Sequence, residues 1–339
     1  MKNILVRQPC YSFGNIGDLA LVKTVKNTYK NCNLIIPSSV KELNNTDISN
    51  IDFLIYFGND CIAYYDISEN IIRKFLSKKK NVYLLNTSWG GNPEKDNVKF
   101  LNEIKNDPNF FIYMRDKYSL NEINKIIDFK NKPILVADLA FLCNKSNVCK
   151  FHNNKDILNN ELDKWFEKNK LPIIAINLHK DFKEKTSLVE EQVVSFINNN
   201  KDKYKFLFIP HDTRKKEHSI HTQISKKLKN VDYYLSSYLD PEYEKFILQK
   251  VYLVITGRMH LSILTIPNSI PAIAIAYNGV KAKGTFQHWN IEDLVIEPSN
   301  ICNLQKIVDN VETNYLDYVN KINNSRENVL NLSRKQIII

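Results

Sequence analysis

Ten residues, VYLVITGRMH (251–260), place a glycine, an arginine and a histidine directly after an apolar run. The run reads as a buried strand, and Gly257 permits a tight turn from strand into helix. Arg258 then stands at the helix start, where a guanidinium can take a carboxylate or phosphate bidentately beside free backbone amides. His260, two residues on, suits proton transfer, because imidazole titrates near neutrality. Rarity makes these positions informative. The chain carries 47 Lys and Arg, of which seven are arginine, and 8 glycines in 339 residues; average usage of about 7% would give roughly 24 glycines.

Other strand ends carry chemistry of the same kind. PAIAIAYNGVKAKG (271–284) ends in Asn278, Gly279, Lys281, Lys283 and Gly284, and either lysine can add positive charge to an anion held by Arg258. Arg115 follows FFIYM (110–114) and can serve an anion or pair with a carboxylate such as Asp116. The loop CYSFGNIGD (10–18) runs into a helix whose free amides suit an anion. Its Asn15 and Asp18 are candidate substrate contacts; Asp18 is either a first-turn helix charge or a group that binds or activates a hydroxyl. His179 and His211 each follow an apolar run, PIIAINL and KFLFIP. With His260 they raise the question of a metal, but no HExxH, HxH or acidic cluster accompanies them, and no metal is expected. His218 and His221 share a lysine-rich helix and read as surface residues.

The elements that must position these groups follow from hydrophobic patterning. Apolar runs at 3–9, 33–36, 52–57, 82–86, 110–114 and 134–137 alternate with segments of helical period, such as Leu19, Val22, Val25 and Tyr29. A polar stretch from 144 to 170, ending in a helix near 158–168, interrupts the rhythm. The alternation resumes with strands at 172–178, 205–210, 232–235, 251–256 and 271–277. Strand and helix in alternation predict βαβ units. The expected fold is α/β with two Rossmann-like domains and mainly parallel sheets: an N-terminal domain at 1–155, a C-terminal domain at 156–300, and a helical tail at 301–339 that packs back on the body. In such sheets ligands bind beyond the carboxyl ends of the strands.

Composition bounds the rest. With 43% hydrophobic and 11% aromatic residues, each half can bury a full core. The net charge of +10 admits a nucleic acid, an acidic membrane surface or an anionic substrate, but lysine and asparagine are abundant throughout. No RNP, KH or helix-turn-helix signature is present, so no nucleic-acid partner is expected. Six cysteines without a CxxC fit a reducing compartment. The N-terminus enters a strand with no signal-peptide core, and no run approaches the ~18 apolar residues of a membrane span. The expectation is a cytoplasmic protein, with peripheral contact at the inner face of the membrane as the most intimate association.

GNIGD (14–18), MRDKYS (114–119), VADLAF (136–141) and GRMH (257–260), followed by IPAIAIAYNGVKAKG (270–284), together resemble the polysaccharide pyruvyl transferases over residues 10 to 290. The resemblance implies a GT-B-like arrangement, phosphoenolpyruvate as co-substrate with no resident cofactor, and a hydroxyl-bearing sugar acceptor. That acceptor belongs to a capsule, exopolysaccharide or lipopolysaccharide, or to its lipid-linked precursor. It also implies that Arg258 and His260 contact the donor and that Arg115 and Lys281 match the family's other basic residues, with Lys283 close to the latter. The chain departs from the family after DFLIYF, where a glycine-rich run is reduced to Gly58.

Ketal formation from phosphoenolpyruvate needs cations for a carboxylate and a phosphate and one acid for the methylene carbon. Arg258, Arg115 and Lys281 supply the first, His260 the second. The competing expectation is a GT-B glycosyltransferase with a nucleotide-sugar donor. Such enzymes commonly hold the ribose with a carboxylate in the C-terminal half, yet residues 261–284 contain no Asp or Glu.

Overall fold

The computed structural model describes residues 1–9, 14–59, 62, 67–89, 94–147, 155–179, 185–276 and 279–338. Two six-stranded sheets organise them, with every strand pair parallel. The first has the order β2-β1-β3-β4-β5-β6, the second β12-β11-β10-β7-β8-β9. In the first sheet β1 (Asn3–Arg7) lies between β2 (Asn33–Ile35) and β3 (Phe53–Asn59), followed by β4 (Asn81–Thr87), β5 (Phe110–Met114) and β6 (Ile134–Leu135). In the second, β7 (Ile173–Asn177) pairs with β8 (Lys205–Phe208) and β10 (Leu253–Thr256); β9 (Tyr233–Leu235), β11 (Ala272–Ile275) and β12 (Val295–Ile296) complete it. All eleven expected strands form. The two-residue β12 is additional, too short to show as an apolar run.

Helices cover both faces, so the strands are buried on both sides and read as continuous apolar runs. In β1, Ile4 and Val6 join a core continuous with the second sheet, while Leu5 faces a separate layer against Ile71, Phe75 and Phe100. Each sheet reverses its strand order once, between β1 and β3 and between β7 and β10. These switch points are where a doubly wound sheet opens a crevice.

The two halves meet through main chain as well as side chains. The Ile16 amide donates to the His211 carbonyl (3.0 Å), the Thr213 amide donates to the Gly14 carbonyl (2.8 Å), and Asn15 and Asp212 form an antiparallel bridge. Lys23 on the helix Ile16–Thr28 pairs with Asp240 and Glu242, which open the helix Pro241–Leu248. From that same helix the buried Lys245 ammonium donates to the carbonyls of Phe141 (2.9 Å) and Cys143 (2.6 Å). Burial pushes its pKa down to about 8.

Gly17 is required by this contact. A methyl in place of its hydrogen would lie 2.2 Å from Cγ of His260.

After the helices Leu304–Thr313 and Tyr315–Arg334 the chain returns to the first sheet. There the Gln336 amide donates to the Ala137 carbonyl, and its oxygen accepts from the Asn86 amide, each at 2.7 Å. Gln336 is buried, and so is Asn86, whose φ of 56° marks the irregular end of β4.

Two outcomes test these contacts by urea unfolding. Gln336→Ala leaves a buried amide and a buried carbonyl unpaired and is expected to cost roughly 1–3 kcal/mol. Gly17→Ala forces His260 and the helix start apart, with an expected cost of roughly 1–3 kcal/mol from overpacking.

Candidate active site

The second sheet builds its half of the site around one carboxylate. Glu217, the first residue of the helix Glu217–Ser225, is fully buried beyond the carboxyl ends of β7 and β8. Its Oε2 accepts from the amides of His211 (2.6 Å) and Asp212 (3.1 Å) and from Nδ2 of Asn177 (2.8 Å). Its Oε1 accepts from Nε of Arg258 at 2.6 Å. Burial pushes the Glu217 carboxyl up, but the Arg258 charge, the His211 amide and the other donors outweigh it and hold the group below its ordinary range.

Arg258 is therefore not an open cation waiting at a helix start. Glu217 and, at 3.8 Å, Asp212 already face it, and its amide donates to Thr256 Oγ1 (2.8 Å). One nitrogen, Nη2, is buried with no hydrogen-bond partner.

The first sheet contributes a second charge relay. Arg115 is 2% exposed, with Nε on Ser88 Oγ (2.6 Å) and Nη1 on Asp138 Oδ2 (3.0 Å). The same Asp138 oxygen accepts from Asn86 Nδ2 (3.1 Å) and stands 3.7 Å from Nε2 of His260. That separation is too long for a hydrogen bond. His260 Nε2 is buried and unpartnered. Burial pushes the imidazole down to about 4; Asp138 opposes the fall, and the charges of Arg115, His211 and Lys281 add to it. These surroundings favour the neutral imidazole.

His211 reaches across the same ground. Its Nδ1 lies 3.0 and 3.2 Å from the two oxygens of Glu244, a carboxylate that is 0% exposed and that burial pushes above its ordinary range. His179 is buried, and its Nε2 lies 2.9 Å from the Gly257 carbonyl, fixing the turn before Arg258. Asn15 caps the helix Ile16–Thr28, accepting from the amides of Gly17 (2.8 Å) and Asp18 (3.3 Å). Asp18 is a half-buried first-turn acid that leaves the cap to Asn15. Lys281 and Lys283 are half-buried on the helix Gly279–Gln287, and Lys281 is the one whose charge acts on His260. Gly284 of that helix packs on Asp116, which caps the helix Lys117–Ile126. Asn278 lies outside the described residues.

Arg258, His260, Arg115, His211 and Lys281 are thus brought together from both halves. Sequence reasoning assigned no role to Glu217, Asp138, Glu244 or Asn86. For Glu217 a signal exists: with Ile220, His221 and Ile224 it occupies one helical face at i, i+3, i+4 and i+7. That face is buried, so His221 is not a surface residue. It is 1% exposed and accepts from the Leu178 amide at 3.1 Å. Among the described residues no cluster of three or more His, Cys, Asp or Glu could hold a metal ion, and no helix is long and apolar enough to cross a membrane.

No curated protein matches the sequence significantly. Among solved structures, Anabaena HepE in complex with UDP superposes with a TM-score of 0.60 at 9% identity, covering 99% of this chain and 98% of that one. S. aureus MnaA with UDP gives 0.58 at 12% identity, covering 96% and 91%. The UDP-GlcNAc 2-epimerase of Neisseria meningitidis gives 0.56 at 11% identity, covering 99% and 100%. At such identities the likeness shows the fold, two Rossmann-like halves in a GT-B arrangement. The family model for polysaccharide pyruvyl transferase matches residues 15–279, from the capping Asn15 to the start of the Lys281 helix, and the chain belongs to that family of transferases.

Proposed function

We propose that the protein transfers the enolpyruvyl group of phosphoenolpyruvate onto two hydroxyls of one sugar, forming a pyruvate ketal and releasing phosphate. The acceptor is a sugar of a cell-surface polysaccharide or of its lipid-linked precursor, met on the cytoplasmic side. The observation that carries this reading is the setting of His260. It is a buried imidazole with an unpartnered Nε2, acted on by the cations Arg115 and Lys281 and placed two residues from Arg258. Family membership supports the same chemistry.

Phosphoenolpyruvate carries a carboxylate and a phosphate, and each needs a cation or a hydrogen-bond donor. Arg258 Nη2 can take one anionic end, the Lys281 charge acts on the same ground, and Arg115 steadies the site through Asp138. Preorganised charge of this kind is commonly the largest catalytic contribution. The bound anion also changes the proton balance. By offsetting the cations that add to the effect of burial on His260, it favours the imidazolium, whose positive charge then faces Asp138 at 3.7 Å. The substrate thus brings its own acid into being, and His260 delivers the proton to the methylene carbon.

The neighbouring structures with UDP keep a nucleotide-sugar donor in view as the competing outcome. Thermal shift separates the two: phosphoenolpyruvate is expected to stabilise the protein and UDP to leave it unchanged, and the reverse pattern refutes pyruvyl transfer. Calorimetry near pH 7 in buffers of different ionisation enthalpy should show proton uptake on binding phosphoenolpyruvate. The sign follows from a His260 pKa of about 4 that rises when an anion is bound beside it. His260→Ala is expected to abolish that uptake and to lower phosphate release, with a panel of sugar acceptors, by about 10²–10⁴-fold.

A further inference from the structure

Ketal formation moves two protons. One acceptor hydroxyl bonds to the central carbon of the donor and loses a proton, while the electron pair of the enol double bond forms a new C–H bond at the methylene carbon. The bond between that central carbon and the phosphate oxygen then breaks, its electrons staying on phosphate, and the second hydroxyl closes the ring and loses its proton. Two protons leave two hydroxyls; one ends on the methyl group and the other on phosphate. His260 serves the carbon, and the departing phosphate needs an acid of its own.

We propose that His211, gripped by Glu244, is that second acid: its Nε2 hydrogen-bonds the phosphoryl group of the donor and protonates it as it leaves. The inference rests on the pyruvyl-transfer reading and adds a catalytic residue, His211, and a positioning residue, Glu244. His211 is 1% exposed, its Nδ1 is occupied by the Glu244 carboxylate, and its Nε2 is buried without a partner. Two other buried nitrogens share that condition in the same site, Nε2 of His260 and Nη2 of Arg258. The Glu217 carboxylate binds both the His211 main-chain amide and the Arg258 guanidinium, and the His211 charge acts on His260, so the three residues belong to one site. Buried polar atoms are normally satisfied, and three orphans together mark the place of ligand oxygens.

The proton on Nε2 follows from burial. A carboxylate and an imidazole removed from water cost least as a pair without net charge. That pair is either a carboxylate with an imidazolium or a carboxylic acid with a neutral imidazole accepting at Nδ1. Both arrangements leave a hydrogen on Nε2. The His211–Glu244 pair is therefore a hydrogen-bond donor before any ligand arrives, unlike His260.

Calorimetric titration with phosphoenolpyruvate and, separately, with inorganic phosphate tests the assignment on His211→Asn, His211→Gln and Glu244→Gln. Asparagine keeps a polar group near Nδ1 and removes Nε2; glutamine carries an amide to the Nε2 position but cannot pass on a proton. Expected is at least tenfold weaker binding of both ligands by His211→Asn, and binding within about threefold of wild type by His211→Gln. His211→Gln should nonetheless lose phosphate release by about 10²-fold or more, the ordinary worth of an acid. Glu244→Gln, with the donor no longer enforced, should fall between. Wild-type affinity in His211→Asn overturns the proposal, as does unimpaired phosphate release by His211→Gln. If the wild-type protein binds phosphate but not phosphoenolpyruvate, the pyruvyl-transfer reading itself fails, and the proposed donor acid fails with it. A wild-type protein that binds phosphoenolpyruvate, with insensitive His211 variants, leaves that reading standing and removes this one alone.

Discussion

The buried carboxylate of Glu217 is the interaction on which the site depends. It accepts from two consecutive backbone amides, one asparagine side chain and one guanidinium, and these come from the ends of β7, β8 and β10. An ionised carboxylate without access to water is tolerable only with such a full set of donors. Because the donors are shared, the positions of Arg258 and His211 are not independent. Whatever fixes the loop after β8 also fixes the guanidinium after β10. The other half repeats the device in a smaller form, with Asp138 between Arg115, Asn86 and His260.

This explains what sequence reasoning could and could not see. The strands were legible because parallel sheets covered on both faces turn each central strand into an apolar run, and the strand map then located Arg115, Arg258, His211 and His260 at carboxyl ends. The carboxylates that organise those residues were not legible, because each lies far along the chain from its partner: Glu217 is 41 residues from Arg258, and Asp138 is 23 from Arg115. Glu217 was hidden further by its neighbours. Lys215 and Lys216 precede it and His218 follows, so its surroundings look like a solvated helix until the face shared with Ile220 and Ile224 is counted. Asn86 needs a left-handed backbone at the end of an irregular strand, which composition does not announce.

The two histidines differ in a way that position in sequence hides. Both follow apolar strands, but His211 has a buried carboxylate on its ring and His260 has cations around it with Asp138 held off at 3.7 Å. Two strand-end histidines of similar appearance thus stand in opposite electrostatic surroundings, set by the charges that other segments bring to them.

The antiparallel bridge between Asn15 and Asp212, flanked by the Ile16 and Thr213 amides, joins the halves through atoms that every residue except proline possesses. Geometry fixed by main-chain donors and acceptors does not depend on which side chains happen to stand there. Substitutions around the crevice can therefore change its lining while leaving the spacing between the two strand-end clusters in place.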